Sequence, residues 1–148
     1  MILNRLPNIC VVHNQYFVLI CTVGHIYWMA GMQWIVEFTD DFNAEFDELS
    51  DEIQDALLTK AGLLKVFGPS LGRPHVDTLN GSQYANMKEL RFDAGDGVWR
   101  VAFAFDTKRK AILLVGGDKS GGSEKQFYKQ LIKKADERYR AHLQMGVK

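Results

Sequence analysis

The sequence is poor in cysteine, carries no net charge and lacks a long uninterrupted hydrophobic run. Its two cysteines, Cys10 and Cys21, have neither the Cys/His spacing of a zinc site nor the density of a disulfide-stapled fold. We therefore expect a reducing, cytoplasmic setting. The formal net charge is +0, so the overall charge neither requires nor excludes a nucleic-acid partner.

The N-terminal stretch is apolar but shorter than a membrane span. A transmembrane helix needs about 20 mainly apolar residues, and the uninterrupted part here covers only residues 16–30. A signal peptide would begin with basic residues and end at small ones, and only Arg5 and the sequence MAG resemble that pattern. We interpret residues 1–31 as an apolar extension upstream of a start at Met32, with a signal or membrane segment as the alternative. No membrane partner is expected.

Residues 32–148 have the length and composition of one domain. The whole chain has 148 residues, 47% of them hydrophobic, which is enough for a core. Charge is unevenly distributed: residues 37–72 contain nine acids and two bases, whereas residues 73–148 contain fifteen bases and nine acids. The basic part could attract phosphates; alternatively, the two parts are ordinary solvated faces of opposite sign.

The residue pattern predicts a strand, two helices, three antiparallel strands and a last helix. QWIVEF alternates like a strand, and Asp40 and Ser50 stand where helices would begin. The turn sequences DAGDG and DTKR separate strands predicted at residues 84–92, 98–106 and 110–115. Ser123 and Gln126 have the spacing of a capping box before an amphipathic helix. This order indicates an α+β fold with a helical hairpin on a small, mainly antiparallel sheet.

Two arginines interrupt the strands in MKELRFDAGDGVWRVAFAF, residues 87–105. Strand alternation assigns Glu89, Arg91 and Arg100 to the face opposite the aromatic core residues. We expect that face to be open, and concave because Ala102 and Ala104 are small. A guanidinium pair there would bind a phosphodiester in bidentate fashion and stabilise a charged transition state. A solvated face with an Arg–Glu cross-strand pair is the alternative.

Helices followed by KELRF, WRVAF and ILLVGGDKSG resemble the RelE/ParE superfamily of bacterial toxins, within it the HigB-like, phage Gp49-like branch. The likeness covers residues 32–143 and implies a RelE-like α+β fold for a domain of residues 32–148. It also implies the toxin of a type II toxin–antitoxin system, with a helix-turn-helix antitoxin as partner. Such a toxin acts on the ribosome and cuts messenger RNA without a metal or other cofactor, by attack of a ribose 2′-hydroxyl on the adjacent phosphorus.

The resemblance, carried over by position, assigns catalytic roles to three residues, and Glu89 is a fourth candidate. Arg91 and Arg100 would stabilise the transition state, and Lys119 would assist charge or proton transfer. Glu89 would act as a general base or, alternatively, orient Arg91.

Three further residues are predicted to contact RNA. Arg73 and His75 lie in the sequence GRPH, where a cation could touch ribosomal or messenger RNA, with a conformational role beside Pro74 as the alternative. Lys88 falls on the core side by alternation, but its long stem could reach out from the start of the strand.

The chain departs from the family pattern after its last strand. Many relatives have an aromatic residue and two lysines there, whereas this sequence has Gly117 and a single lysine, Lys119, with no tyrosine or histidine evident beside it. Two other functions are therefore considered. One is a ParE-like toxin that binds DNA gyrase without chemistry; the other is a structural or decayed phage protein.

Overall fold

The computed structural model describes residues 9–10, 18–22, 25–29 and 33–146. Most of residues 1–31, and with them the predicted extension and its alternatives, lie outside the described residues. The chain divides into two compact units, Met1–Gln33 and Trp34–Lys148. In the first unit, three antiparallel strands are adjacent in chain order: β1 (Ile9–Cys10), β2 (Val18–Thr22) and β3 (His25–Met29). Within the described ranges, no helix is both long and apolar enough to cross a membrane.

The second unit contains a five-stranded sheet and three α-helices. Its elements in chain order are β4 (Ile35–Phe38), α1 (Asp40–Asp47), α2 (Asp51–Phe67), β5 (Val76–Thr78), β6 (Met87–Ala94), β7 (Gly97–Phe105), β8 (Lys110–Asp118) and α3 (Glu124–Met145). The strand order is β4-β8-β7-β6-β5, in which β4 and β8 run parallel and the other neighbours antiparallel. The predicted α+β fold is confirmed.

Local chemistry explains where the elements begin and turn. Thr39 caps α1, because its hydroxyl accepts a 3.3 Å hydrogen bond from the Phe42 amide, so the prediction of Asp40 as the cap was one residue late. Ser123 caps α3 through a 3.4 Å hydrogen bond from the Gln126 amide, as predicted. Between β6 and β7, Gly95 and Asp96 both have positive φ angles, of 48° and 47°. Two such residues give the tight hairpin that opposes Arg91 to Arg100.

Each face of the sheet is covered by helices. Helices α1 and α2 cover one face with Phe42, Leu57 and Leu64. Helix α3 covers the other, where its residues Leu131 and Ala135 belong to one apolar cluster with residues of three strands: Met87, Ala102, Ala104, Ile112 and Leu114. The prediction that this second face is open and concave was therefore wrong. Ala102 and Ala104 on this face are small side chains on which α3 packs.

Candidate functional site

Three charged side chains, Glu89, Arg91 and Arg100, form what we call the arginine cluster at one end of the α3 face. Arg91 and Arg100 are directly opposed across β6 and β7, so their side chains share a face. The Glu89 Oε1 atom lies 3.9 Å from Arg91 Nε and 4.0 Å from Arg100 Nε. The Arg100 side chain is only 8% exposed, whereas that of Arg91 is 31% exposed. The structure thus brings together three of the predicted catalytic residues, with the two arginines at different depths.

Two buried atoms of the arginine cluster lack hydrogen-bond partners among the described residues: Glu89 Oε2 and Arg100 Nε. Arg100 uses its Nη1 atom to donate a 2.8 Å hydrogen bond to the Trp99 carbonyl. Burial raises the pKa of Glu89, although Tyr128 and both arginines oppose that shift. Unsatisfied buried polar groups are uncommon in folded proteins, and they often mark sites that serve a ligand or a reaction.

A tyrosine from α3 joins this cluster. The Tyr128 hydroxyl donates a 3.4 Å hydrogen bond to Glu89 Oε1. Its pKa is raised, first by burial and then by the Glu89 charge. Lys119 Nζ lies 5.6 Å from the centre of the Tyr128 ring. The tyrosine that the sequence does not show beside Lys119 is therefore supplied by the next helix. Its signal was the helical spacing of Tyr128 with Leu131 and Ala135 on the buried side of α3.

Lys119 and Gly117, at the end of β8, both lie next to residues of α3. The Lys119 ammonium pairs with Glu124 at 2.8 Å, and this contact holds the pKa of the Glu124 carboxyl below its ordinary value. Gly117 is directly opposite Arg100, and a Cβ atom at Gly117 would lie 2.9 Å from the ring of Phe127. Gly117, which stands where many relatives have an aromatic residue, is thus next to an aromatic ring of α3.

Asp77 in β5 links the arginine cluster to the preceding loop. It pairs with Arg73 at 2.6 Å and with Arg91 at 3.2 Å. The pKa of Asp77 is lowered, first by the hydrogen bond from Arg73 and next by that from the Thr78 amide. The sequence analysis missed Asp77 because it predicted no strand between the second helix and residue 84, where the three residues of β5 pair with β6.

A cleft of about 610 Å³ opens beside these residues, and we call it the basic cleft. Its walls come from α2, from the loop before β5, and from β6 and β7, and they include Thr59, Lys60, Arg73, His75, Arg91 and Arg100. Four of the seven predicted site residues therefore line one cavity. Lys88 does not, since it pairs with Phe103, which belongs to the core beneath α1 and α2.

His75 is held by a lysine that the sequence analysis missed. Lys60 Nζ lies 2.7 Å from His75 Nδ1. Burial lowers the pKa of both groups, and for His75 the neighbouring Lys60 charge lowers it further. A lowered imidazole pKa makes His75 the neutral acceptor at pH 7. The cation at this wall is consequently Lys60 rather than the predicted His75.

No group of three or more histidine, cysteine or carboxylate side chains is arranged to hold a metal ion in the part of the chain that the structure describes. Within the arginine cluster, Glu89 is the one residue with carboxylate oxygens. The neighbouring carboxylate of Asp77 already pairs with Arg73 and Arg91. What the site offers is cationic donors, which suit an anionic ligand.

Comparison with known proteins identifies the family of this chain. Residues 44–140 match the family "Phage derived protein Gp49-like (DUF891)". The Mycobacterium tuberculosis protein named "Putative toxin HigB3" is 50% identical over 88 residues, covering 57% of this chain and 75% of that protein. "Putative toxin HigB2" of the same organism is 38% identical over 125 residues, covering 83% of this chain and 61% of that protein.

A solved structure has a fold similar to that of this chain. A mutant of the E. coli toxin RelE in the free state superimposes with a TM-score of 0.51 at 12% sequence identity, over 70% of this chain and 97% of that one. The RelE-like fold is thereby confirmed, and the HigB relatives imply an antitoxin as partner. The chain belongs to the phage-derived Gp49-like family and is a HigB-like toxin of the RelE/ParE type.

Proposed function

We propose that this toxin is a ribosome-dependent messenger RNA endonuclease that inhibits translation. The observation that carries the proposal is that Arg91 and Arg100 oppose each other across two strands and both line the basic cleft. A scissile phosphodiester in that cleft would meet one half-exposed and one buried guanidinium. The substrate would be message in the ribosomal A site, in the cytoplasm, and the partner a helix-turn-helix antitoxin.

The reaction is attack of the ribose 2′-hydroxyl on the adjacent phosphorus: the hydroxyl proton passes to solvent water as the new bond forms, the bond from phosphorus to the 5′-oxygen breaks, and a cyclic phosphate and a free 5′-hydroxyl remain. Negative charge grows on the non-bridging phosphate oxygens in the transition state. In this proposal Arg91 binds those oxygens, and Arg100 adds a second positive charge from a buried position, where electrostatic stabilisation is strongest. The proposed reaction requires no cofactor.

Tyr128 and Lys119 serve the leaving group in this proposal. A phenol with a raised pKa stays protonated at neutral pH, so Tyr128 can give its proton to the departing 5′-oxygen. Lys119, beside the same ring, adds positive charge there. Glu89 acts as a positioning residue, because it lies within 4.0 Å of both arginine Nε atoms and is itself buried.

Outside the chemical centre, Arg73 is the proposed RNA contact, since its side chain is 75% exposed. It borders the basic cleft on the side of the loop before β5. Lys88, on the other face of the sheet, would meet RNA separately from the cleft. His75 contributes through Lys60 rather than through a charge of its own.

The test is primer extension on a ribosome-bound message after addition of the full chain and its variants. We expect cuts in the A site with the parent protein. Arg91→Ala and Arg100→Ala should each lower the cleavage rate about 100- to 1,000-fold, as loss of a preorganised transition-state donor does. Lys65→Ala, which removes an exposed base of α2, is the matched control and should cut like the parent.

An intact message in the presence of folded parent protein would sink the nuclease proposal. Gyrase inhibition would then be the next assay. The relatives named above are HigB and RelE toxins, so they do not favour that alternative.

A further inference from the structure

We propose that Lys60, held by His75, binds the phosphate next to the scissile one, so that the basic cleft takes single-stranded RNA with two consecutive phosphodiesters. The inference rests on the proposed function, because it assigns a second subsite to the same cleft. It concerns α2, which contributes none of the residues discussed above as catalytic.

The first support is position. Lys60 is half-buried on the α2 wall of the basic cleft, and Arg91 lies on the β6 wall of the same cavity. Arg73 and His75, which lie between Lys60 and Arg91 in the sequence, line the same cavity. A ligand that fills the cleft from Arg91 therefore has Lys60 within the same space.

The second support is unbalanced charge. Arg73, Arg91 and Lys119 each pair with a carboxylate. Among the described residues, Lys60 makes no such ion pair, and its close polar partner is the imidazole of His75 at 2.7 Å. Asp93 acts on Lys60 only through longer-range attraction. A partly buried ammonium without a counter-ion is stabilised when an anion binds.

The third support is the direction of the donors. An ammonium has three N–H donors and no acceptor. His75 Nδ1 occupies one of them, which fixes the Lys60 head group, and two remain for the oxygens of a phosphate. Of the four cations of the cleft, Lys60, Arg73, Arg91 and Arg100, Lys60 is the one that no carboxylate contact matches in the described part of the chain. A second phosphate would match this charge.

The test compares two RNA probes that cannot be cut, because every 2′-hydroxyl is methylated: a dinucleotide with one phosphodiester and a trinucleotide with two. Affinities are measured by calorimetry with the full chain at several salt concentrations. The parent should bind the trinucleotide about tenfold more tightly, the effect of one added charged hydrogen bond. Lys60→Met keeps the aliphatic stem and should abolish this advantage, and the salt slope for the trinucleotide should fall by about 0.7.

Two variants guard the interpretation. Lys65→Met removes an exposed base from the same helix and should keep the trinucleotide advantage. Lys60→Arg keeps the charge and should retain most of the advantage even if Lys60→Met unfolds.

Equal affinity of the parent for both probes, binding of neither, or an undiminished advantage in folded Lys60→Met would overturn the subsite. If the parent cuts ribosome-bound message while any of these results holds, the subsite fails and the nuclease stands. If the trinucleotide advantage depends on Lys60 but no message is cut, the phosphate subsite stands and the nuclease proposal fails.

Discussion

Two arginine–glutamate pairs bridge different elements of this fold, and they differ in how closely they are satisfied. Arg138 of α3 donates to both oxygens of Glu45 in α1, with a 3.0 Å bond to Oε2, and also to the Leu114 carbonyl at 2.7 Å. Arg100 and Glu89 approach only to 4.0 Å, and each leaves one buried atom that has no hydrogen-bond partner among the described residues. The pKa of Glu45 is lowered, first by the hydrogen bond from Arg138, whereas burial raises the pKa of Glu89.

The difference separates a pair that stabilises the fold from a pair to which the proposed function assigns a ligand. Bidentate contact engages both carboxylate oxygens of Glu45 and ties α1 to α3. In the described part of the chain, the arginine cluster instead keeps one donor and one acceptor atom without a hydrogen-bond partner, and its two arginines line the basic cleft. Active sites commonly sacrifice stability in this way.

The largest effect on folding is expected from the satisfied pair. Arg138→Met should lower the free energy of unfolding by about 2 kcal/mol, because it removes charged hydrogen bonds and leaves the Leu114 carbonyl without this donor. Urea denaturation measures the loss, with exposed Arg140→Met on the same helix expected to change stability by less than about 0.5 kcal/mol. Cleavage by folded Arg138→Met should match the parent. An equal loss in both variants would remove the contrast between the two pairs.

A smaller effect of opposite sign is expected from Glu89→Gln. A carboxyl whose pKa is raised by folding binds protons more tightly in the native state, so its contribution to stability falls as pH rises above the ordinary value of 4.5 and through the raised value. Glutamine has no such titration. The variant should therefore gain stability relative to the parent from acidic to neutral pH, while its cleavage slows because the arginines lose their positioning carboxylate.

Unfolding curves of parent and Glu89→Gln across that pH range make the comparison. A variant that is less stable than the parent at neutral pH would show that Glu89 serves the fold as Glu45 does.

The sequence predicted the strands and turns well where local chemistry determines them. Alternation marks β6 and β7, and Gly95 with Asp96 permits their tight hairpin, so the opposition of Arg91 and Arg100 followed. β5 was not predicted because three residues are too few to show an alternating pattern. Its pairing with β6 is a tertiary contact that the sequence pattern does not reveal.

The covered face and the rest of the site depend on contacts between distant residues. The apolar stripe of α3 was recognised, but periodicity does not state which face of the sheet a helix covers. Tyr128 reaches Glu89 across 39 positions of the chain, and Lys60 reaches His75 across 15. Neither pair leaves a local motif, so both emerge only from the packed structure.

The central claim is that the loosely paired arginines catalyse attack by the RNA's own 2′-hydroxyl. The most direct measurement compares cleavage of two ribosome-bound messages that differ by a single 2′-deoxy substitution at the nucleotide preceding the scissile phosphate. The account predicts that the normal message is cut and ends in a cyclic phosphate, and that the substituted message stays intact at that position. Equal cutting of both messages would contradict it.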